Sequence, residues 1–98
     1  MTAFRSVWST LTGLRAGRKI SAPGGERGEA TTIVSVEAEA ITIAPPRAKG
    51  FVRIPKEDFE AVWQKWGDFK AGKVTRGELR QVTTKSSYII NIFEWFEG

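Results

Sequence analysis

The chain contains no cysteine and no histidine. The first absence excludes disulfide staples, thiolate nucleophiles and every Cys-containing zinc site. The second excludes imidazole bases, His ligands and any Ser-His-Asp triad. The remaining carboxylates, Lys and Ser show no catalytic spacing, so the expectation is a protein without catalysis, metal or cofactor. Long hydrophobic runs are missing too. No unbroken apolar stretch exceeds three residues, as at Tyr88-Ile89-Ile90, against the ~20 that a spanning helix needs. Between Met1 and Gly17, Ser6, Ser9, Thr10 and Thr12 interrupt any signal-peptide core. No membrane association is expected, and the cytoplasm is the expected location.

What is present suits one small domain spanning 1–98. Hydrophobic residues make up 41% and charged residues 27%, an ordinary globular balance. Six Phe, four Trp and one Tyr supply large side chains for a lean core. Fifteen Lys and Arg against eleven Asp and Glu leave a net charge of +4, which mildly favours polyanionic partners. The charge is segregated. Residues 1–25 carry four cations and no acid, as do residues 45–56 (Arg47, Lys49, Arg53 and Lys56). Residues 69–85 hold Lys70, Lys73, Arg76, Arg80 and Lys85 against Glu78 alone. Acidic segments separate these blocks.

Periodicity divides the chain into three parts. Over 1–17, Phe4, Val7, Trp8, Leu11 and Leu14 fall on one helical stripe, with Thr2 as a candidate cap and Gly17 as a candidate stop. Gly13 weakens the last turn. Over 18–54 the period changes to two, and a three- or four-stranded antiparallel meander is expected. Its strands are Lys19-Ile20-Ser21, Thr31 to Val36, Ala40 to Ala44 and Phe51 to Ile54, with Glu37-Ala38-Glu39 at a hairpin tip. Such a sheet buries one face and needs helices laid on it. Over 55–98 the chain is helical. Pro55 suits a first helical position, and Phe59, Val62, Trp63 and Trp66 form a stripe that Gly67 to Gly72 should break. Thr75 and Glu78 make a capping box for a short helix through Leu79 and Val82. After Thr83-Thr84-Lys85, Ser86-Ser87 open a last helix whose stripe is Ile89, Ile92, Phe93 and Phe96. The expected fold is therefore α+β: an N-terminal helix, a small meander and a tri-helical unit of helix-turn-helix type.

The functional expectation rests on that last unit. In a helix-turn-helix, one helix buttresses the next, whose N-terminal half presents short polar side chains to a groove. Here that half is Lys85, Ser86, Ser87 and Tyr88, with Asn91 one turn further on. Ser and Asn suit base edges, while Lys70, Lys73, Arg76, Arg80 and Lys85 suit phosphates. The plainer reading is a helical hairpin packed on a sheet with solvating charges.

Leu79-Arg80-Gln81-Val82-Thr83 and Tyr88 to Glu97 resemble the last winged-helix module of the bacterial selenocysteine-specific elongation factor, over about a quarter of the chain. The resemblance implies an RNA-contacting role for Lys85, Ser86, Ser87 and Tyr88, although the turn here is one residue shorter. It also implies a wing, which in the sequence as given is expected from an upstream β-ribbon. Ile54-Pro55, Phe59, Trp66, Gly72, Glu78-Leu79 and Ser86-Ser87-Tyr88-Ile89 are similar to small uncharacterised proteins of bacterial mobile elements, which implies no activity.

The last helix is apolar nearly all round, with Ile90 and Trp95 outside its core stripe. Either it is sandwiched against the rest of the domain, or Ile90 and Trp95 form a patch that closes a homodimer or meets a protein partner. An interaction module or small inhibitor acting through that patch is accordingly the alternative to nucleic-acid binding, whether of DNA or RNA. Other signals read as structural. Pro23 to Gly28 lacks the parts of a phosphate loop and suits a turn. Glu37 and Glu39 suit a solvated tip, and Pro45 to Gly50 an inter-strand connection. Trp8, Trp63 and Trp66 suit a core.

Overall fold

A computed structural model describes residues 3–21, 30–46 and 50–97. The expected cap at Thr2, the turn at 23–28 and the middle of the basic loop at 47–49 lie outside the described residues. In chain order the elements are α1 (Phe4–Thr12), β1 (Lys19–Ile20), β2 (Thr31–Val36), β3 (Ala40–Ala44), β4 (Val52–Pro55), α2 (Lys56–Lys70), α3 (Arg76–Val82) and α4 (Ser86–Glu97). The class is α+β, as the change of period implies.

The four strands form one antiparallel sheet in sequence order. Cross-strand pairs Ile33–Ile43, Ile41–Ile54 and Ile43–Val52 put β-branched side chains together on one face. Stacked pairs of this kind are the unit of sheet stability. The β2–β3 register shifts between Ile33 and Ser35, a bulge that absorbs Val34. The isoleucine face packs into one core with Val7 and Leu11 of α1, Phe59, Val62 and Trp66 of α2, and Ile89, Ile92 and Phe93 of α4. The domain is thus two layers, helices over one face of a sheet. Trp8, Trp63 and Trp66 are all core residues, as their spacing implies.

Three boundaries differ from the periodicity. α1 ends at Thr12, where the Gly13 N–H is shared between the Ser9 and Thr10 carbonyls at 3.2 Å each. Gly17 is not its stop; its N–H donates to Ile33 O at 2.6 Å and opens the sheet. Pro55 is the last strand residue, extended at ψ 149°, and paired with Ala40, so Lys56 is the first helical residue. α2 runs through Gly67 to Lys70, because Phe69 stacks on Trp66 at 5.4 Å and repays the glycine's conformational cost. It stops at Gly72, whose φ of 80° suits a residue without Cβ. There Gly72 N–H donates to Phe69 O (3.1 Å) and Lys73 N–H to Asp68 O (2.8 Å), satisfying the last carbonyls.

Contacts at both ends set α4 against α2. Thr83, just before α4, donates to Asp58 near the start of α2 (3.0 Å). Glu97, at the end of α4, accepts from Trp66 and Lys70 near the end of α2. The two helices therefore run side by side in the same direction, with α3 returning between them. Phe93 sits within 5.0 Å of Trp63, 5.4 Å of Trp66 and 6.1 Å of Phe59, ring centroid to centroid. Among the described residues no helix is long and apolar enough to cross a membrane.

Candidate nucleic-acid interface

α3 begins as its sequence dictates. Thr75 Oγ1 accepts the Glu78 N–H at 3.1 Å, satisfying one of the donors a helix start leaves free. Leu79 is buried against the core, and this fixes the helix's rotation. Arg76 and Arg80, four residues apart, consequently share the outer face, preceded by exposed Lys73. Lys73, Arg76, Arg80 and Lys85 have no described carboxylate as ion-pair partner. The Arg76 guanidinium lies 5.8 Å over the Phe69 ring, which steadies it while leaving it exposed.

Lys70 differs from the other cations. Its Nζ donates to both Glu97 oxygens (2.8 and 3.0 Å) and stands 5.9 Å over Trp66. It is committed to holding α4 in place rather than presented freely to a phosphate. Burial pushes the Glu97 carboxyl up, but the bonds from Lys70 and Trp66 and the nearby ammonium charge outweigh it. The group titrates below the usual glutamate range.

The start of α4 divides the predicted readers. Lys85, half-buried, caps the helix with its carbonyl, which accepts from Tyr88 and Ile89 N–H. Ser87 and Asn91 are exposed one turn apart, on a narrow polar stripe. Tyr88 is half-buried and packs on the core. Ser86 is a correction: at 3% exposure it cannot meet a groove. Positions 86, 89, 90 and 93 form one helical stripe, and the serine lies on it, on the buried side of α4. Ile90 is the second correction, at 1% exposure. α4 is sandwiched, so no Ile90 surface exists. Trp95 is half-buried, with the exposed Arg18 guanidinium 5.7 Å from its ring centroid.

Sequence spacing missed the residues that hold this surface in place. The Thr83 hydroxyl donates to Asp58 and accepts the Lys85 N–H at 3.1 Å, tying the α3–α4 turn to α2. Nothing in a polar Thr-Thr-Lys run announces a partner twenty-five positions away. The β2–β3 hairpin is built into the sheet, and Trp8 Nε1 donates to Ala38 O at its tip (3.1 Å), so it does not project as a wing. Among the described residues, no cluster of acids suits a metal ion.

These features define a small two-layer α+β protein with a basic helical outer face and a short polar stripe beside it. No family model matches the chain, and neither a curated protein nor a solved structure matches it.

Proposed function

We propose that this is a small, non-catalytic, cytoplasmic protein that binds nucleic acid through the outer face of α3 and the first turn of α4. The observation that carries the reading is the run of Lys73, Arg76 and Arg80, exposed and unneutralised by any described carboxylate. Arg76 and Arg80 are separated by about 6 Å of helix rise. On one strand of a duplex the charges recur about every 3.4 Å along the axis, so two long, flexible guanidinium side chains at that separation can each reach a phosphate of the same strand. Ser87 and Asn91 supply the hydroxyl and amide able to meet base edges, and the resemblance of α3 and α4 to a winged-helix module points the same way. Ser86 has no part in it, and Lys70 acts by positioning α4.

Binding to a labelled duplex, DNA or RNA, tests the reading. Affinity is expected to fall with salt by about 0.9 log units per log unit for each phosphate neutralised on duplex DNA. Lys73→Glu with Arg80→Glu alters only exposed side chains and is expected to abolish binding with the circular dichroism spectrum unchanged. Undiminished binding by that folded double variant would refute the proposal.

A further inference from the structure

We infer that the uncovered face of the sheet joins two copies of the chain, with Phe51 of each seated in a hollow of the other. The helices cover only the isoleucine face, so the opposite face is turned outward. Strand alternation assigns its residues on β4. Val52 packs on the core and Ile54 is buried, so Phe51, Arg53 and Pro55 fall on the outer side. Phe51 is 70% exposed, alone among the large apolar side chains described. Gly50, at φ 85°, turns the chain immediately before it. At the other end of the same strand, Pro55, Arg53, Glu39 and Glu57 line an open hollow of about 330 Å³. A cavity of about 150 Å³ already accepts benzene, so this one has room for a phenyl ring. The Pro55 ring and the aliphatic stem of Arg53 offer it apolar contact, and the two carboxylates suit its electropositive edge.

Ring and hollow are self-complementary. Phe51 and Pro55 flank Arg53 equally, two residues to each side, so a two-fold axis beside Arg53 carries each ring over the other copy's hollow. The two β4 strands then lie antiparallel and face to face, about 10 Å apart as packed sheets are. Such an arrangement uses one patch twice and closes on itself. Charge selects the same pairing. The register places Lys19 beside Thr32, Thr32 beside Ala44 and, one step past the Ile43–Val52 pair, Ala44 beside Phe51. Lys19, exposed and without a described carboxylate partner, therefore marks the ring's end of the face. Glu39 and Glu57, exposed and without a described cationic partner, mark the hollow's end. The two-fold lays the basic end of each sheet over the acidic end of the other. Arg53, nearest the axis, is already neutralised by Glu37 at 3.2 Å, so it does not meet its own copy as a bare like charge. Between the ends, Thr32, Thr42 and Ala44 are small and uncharged, which permits close approach. The carboxylates at the hollow repel a polyanion, whereas a second copy supplies both the ring and the cation at the required spacing.

The surface lies on the layer opposite α3, so this inference does not rest on the α3 reading. The test is sedimentation velocity of the full chain over a range of concentrations, where twice the chain mass is expected at the upper end. Phe51→Ala should weaken the dimer at least about 100-fold, because each dimer loses two buried rings. Added salt should weaken it as well. Phe51→Glu sets a carboxylate against the acidic hollow and should be monomeric, with its circular dichroism spectrum unchanged. Glu57→Arg makes the hollow basic, so an equimolar mixture of the Phe51→Glu and Glu57→Arg chains should form a mixed dimer. Lys73→Glu with Arg80→Glu should remain dimeric while losing the duplex, so the two proposals fail separately. The inference is overturned if the parent stays monomeric at millimolar concentration, which would leave the face to another partner. It is equally overturned if Phe51→Ala or Phe51→Glu dimerises like the parent, or if the two complementary variants fail to combine.

Discussion

Replacing Thr83 by Val removes one oxygen and almost no volume, so the loss of polar contacts is measured without a cavity. Thr83 is 8% exposed, its hydroxyl donating to Asp58 and accepting from the Lys85 backbone. A hydrogen bond to a charged group contributes about 1.5–3 kcal/mol, and the stranded Lys85 N–H adds about 1 kcal/mol. Asp58 is half-exposed and regains water, which lowers the first figure. The expected loss is therefore about 2 kcal/mol, or roughly 8–16 °C in Tm for a domain of this size. Urea unfolding followed by tryptophan emission gives the value, with the m-value expected to hold. Asp58 also sits in the first turn of α2, where a negative charge contributes about 0.3–1 kcal/mol through the helix dipole. A double-mutant cycle with Asp58→Asn separates that share and should return a coupling of about 1 kcal/mol. A loss below about 0.5 kcal/mol for Thr83→Val, or strict additivity in the cycle, would refute the reasoning. The turn between α3 and α4 would then be held by packing alone.

Two further outcomes probe how α4 is held. The Glu97 carboxyl titrates below its unfolded counterpart, so its contribution to stability is present above the unfolded value and is lost as pH falls through the folded one. Glu97→Gln keeps an acceptor for Trp66 but lacks the charge. It should be less stable than the parent at neutral pH and equal to it in acid; a gap between the two melting curves that is independent of pH would contradict this. Ile90→Ala should cost roughly 2–5 kcal/mol, as for other buried aliphatic truncations, with the mass in solution unchanged. Dispersal of an oligomer without loss of stability would restore the surface reading of that residue.

Local rules carried much of the fold because they involve neighbours. The β-branched runs at 31–36 and 40–44 are strands with those bounds, since alternation and propensity agree there. Thr75 and Glu78 mark the start of α3, since a cap is settled within four residues. The errors arose where distant residues intervened. Gly67 reads as a breaker, yet Phe69 stacked on Trp66 carries α2 past it. Lys70 reads as one of five equivalent cations, yet a carboxylate twenty-seven positions away holds it. Ser86 reads as a groove-facing serine until the rotation of α4 turns it inward.

Composition, period and capping chemistry alone determined that this chain makes helices over a small antiparallel meander and lacks thiol and imidazole chemistry. Each of those properties depends on residue identity or on spacings of a few positions. Which cations are free, which faces of α4 and of the sheet meet solvent, and where a lone phenylalanine stands exposed were decided by tertiary structure. Those properties depend on how one element is rotated against another, and that rotation is set by contacts between residues far apart in the chain.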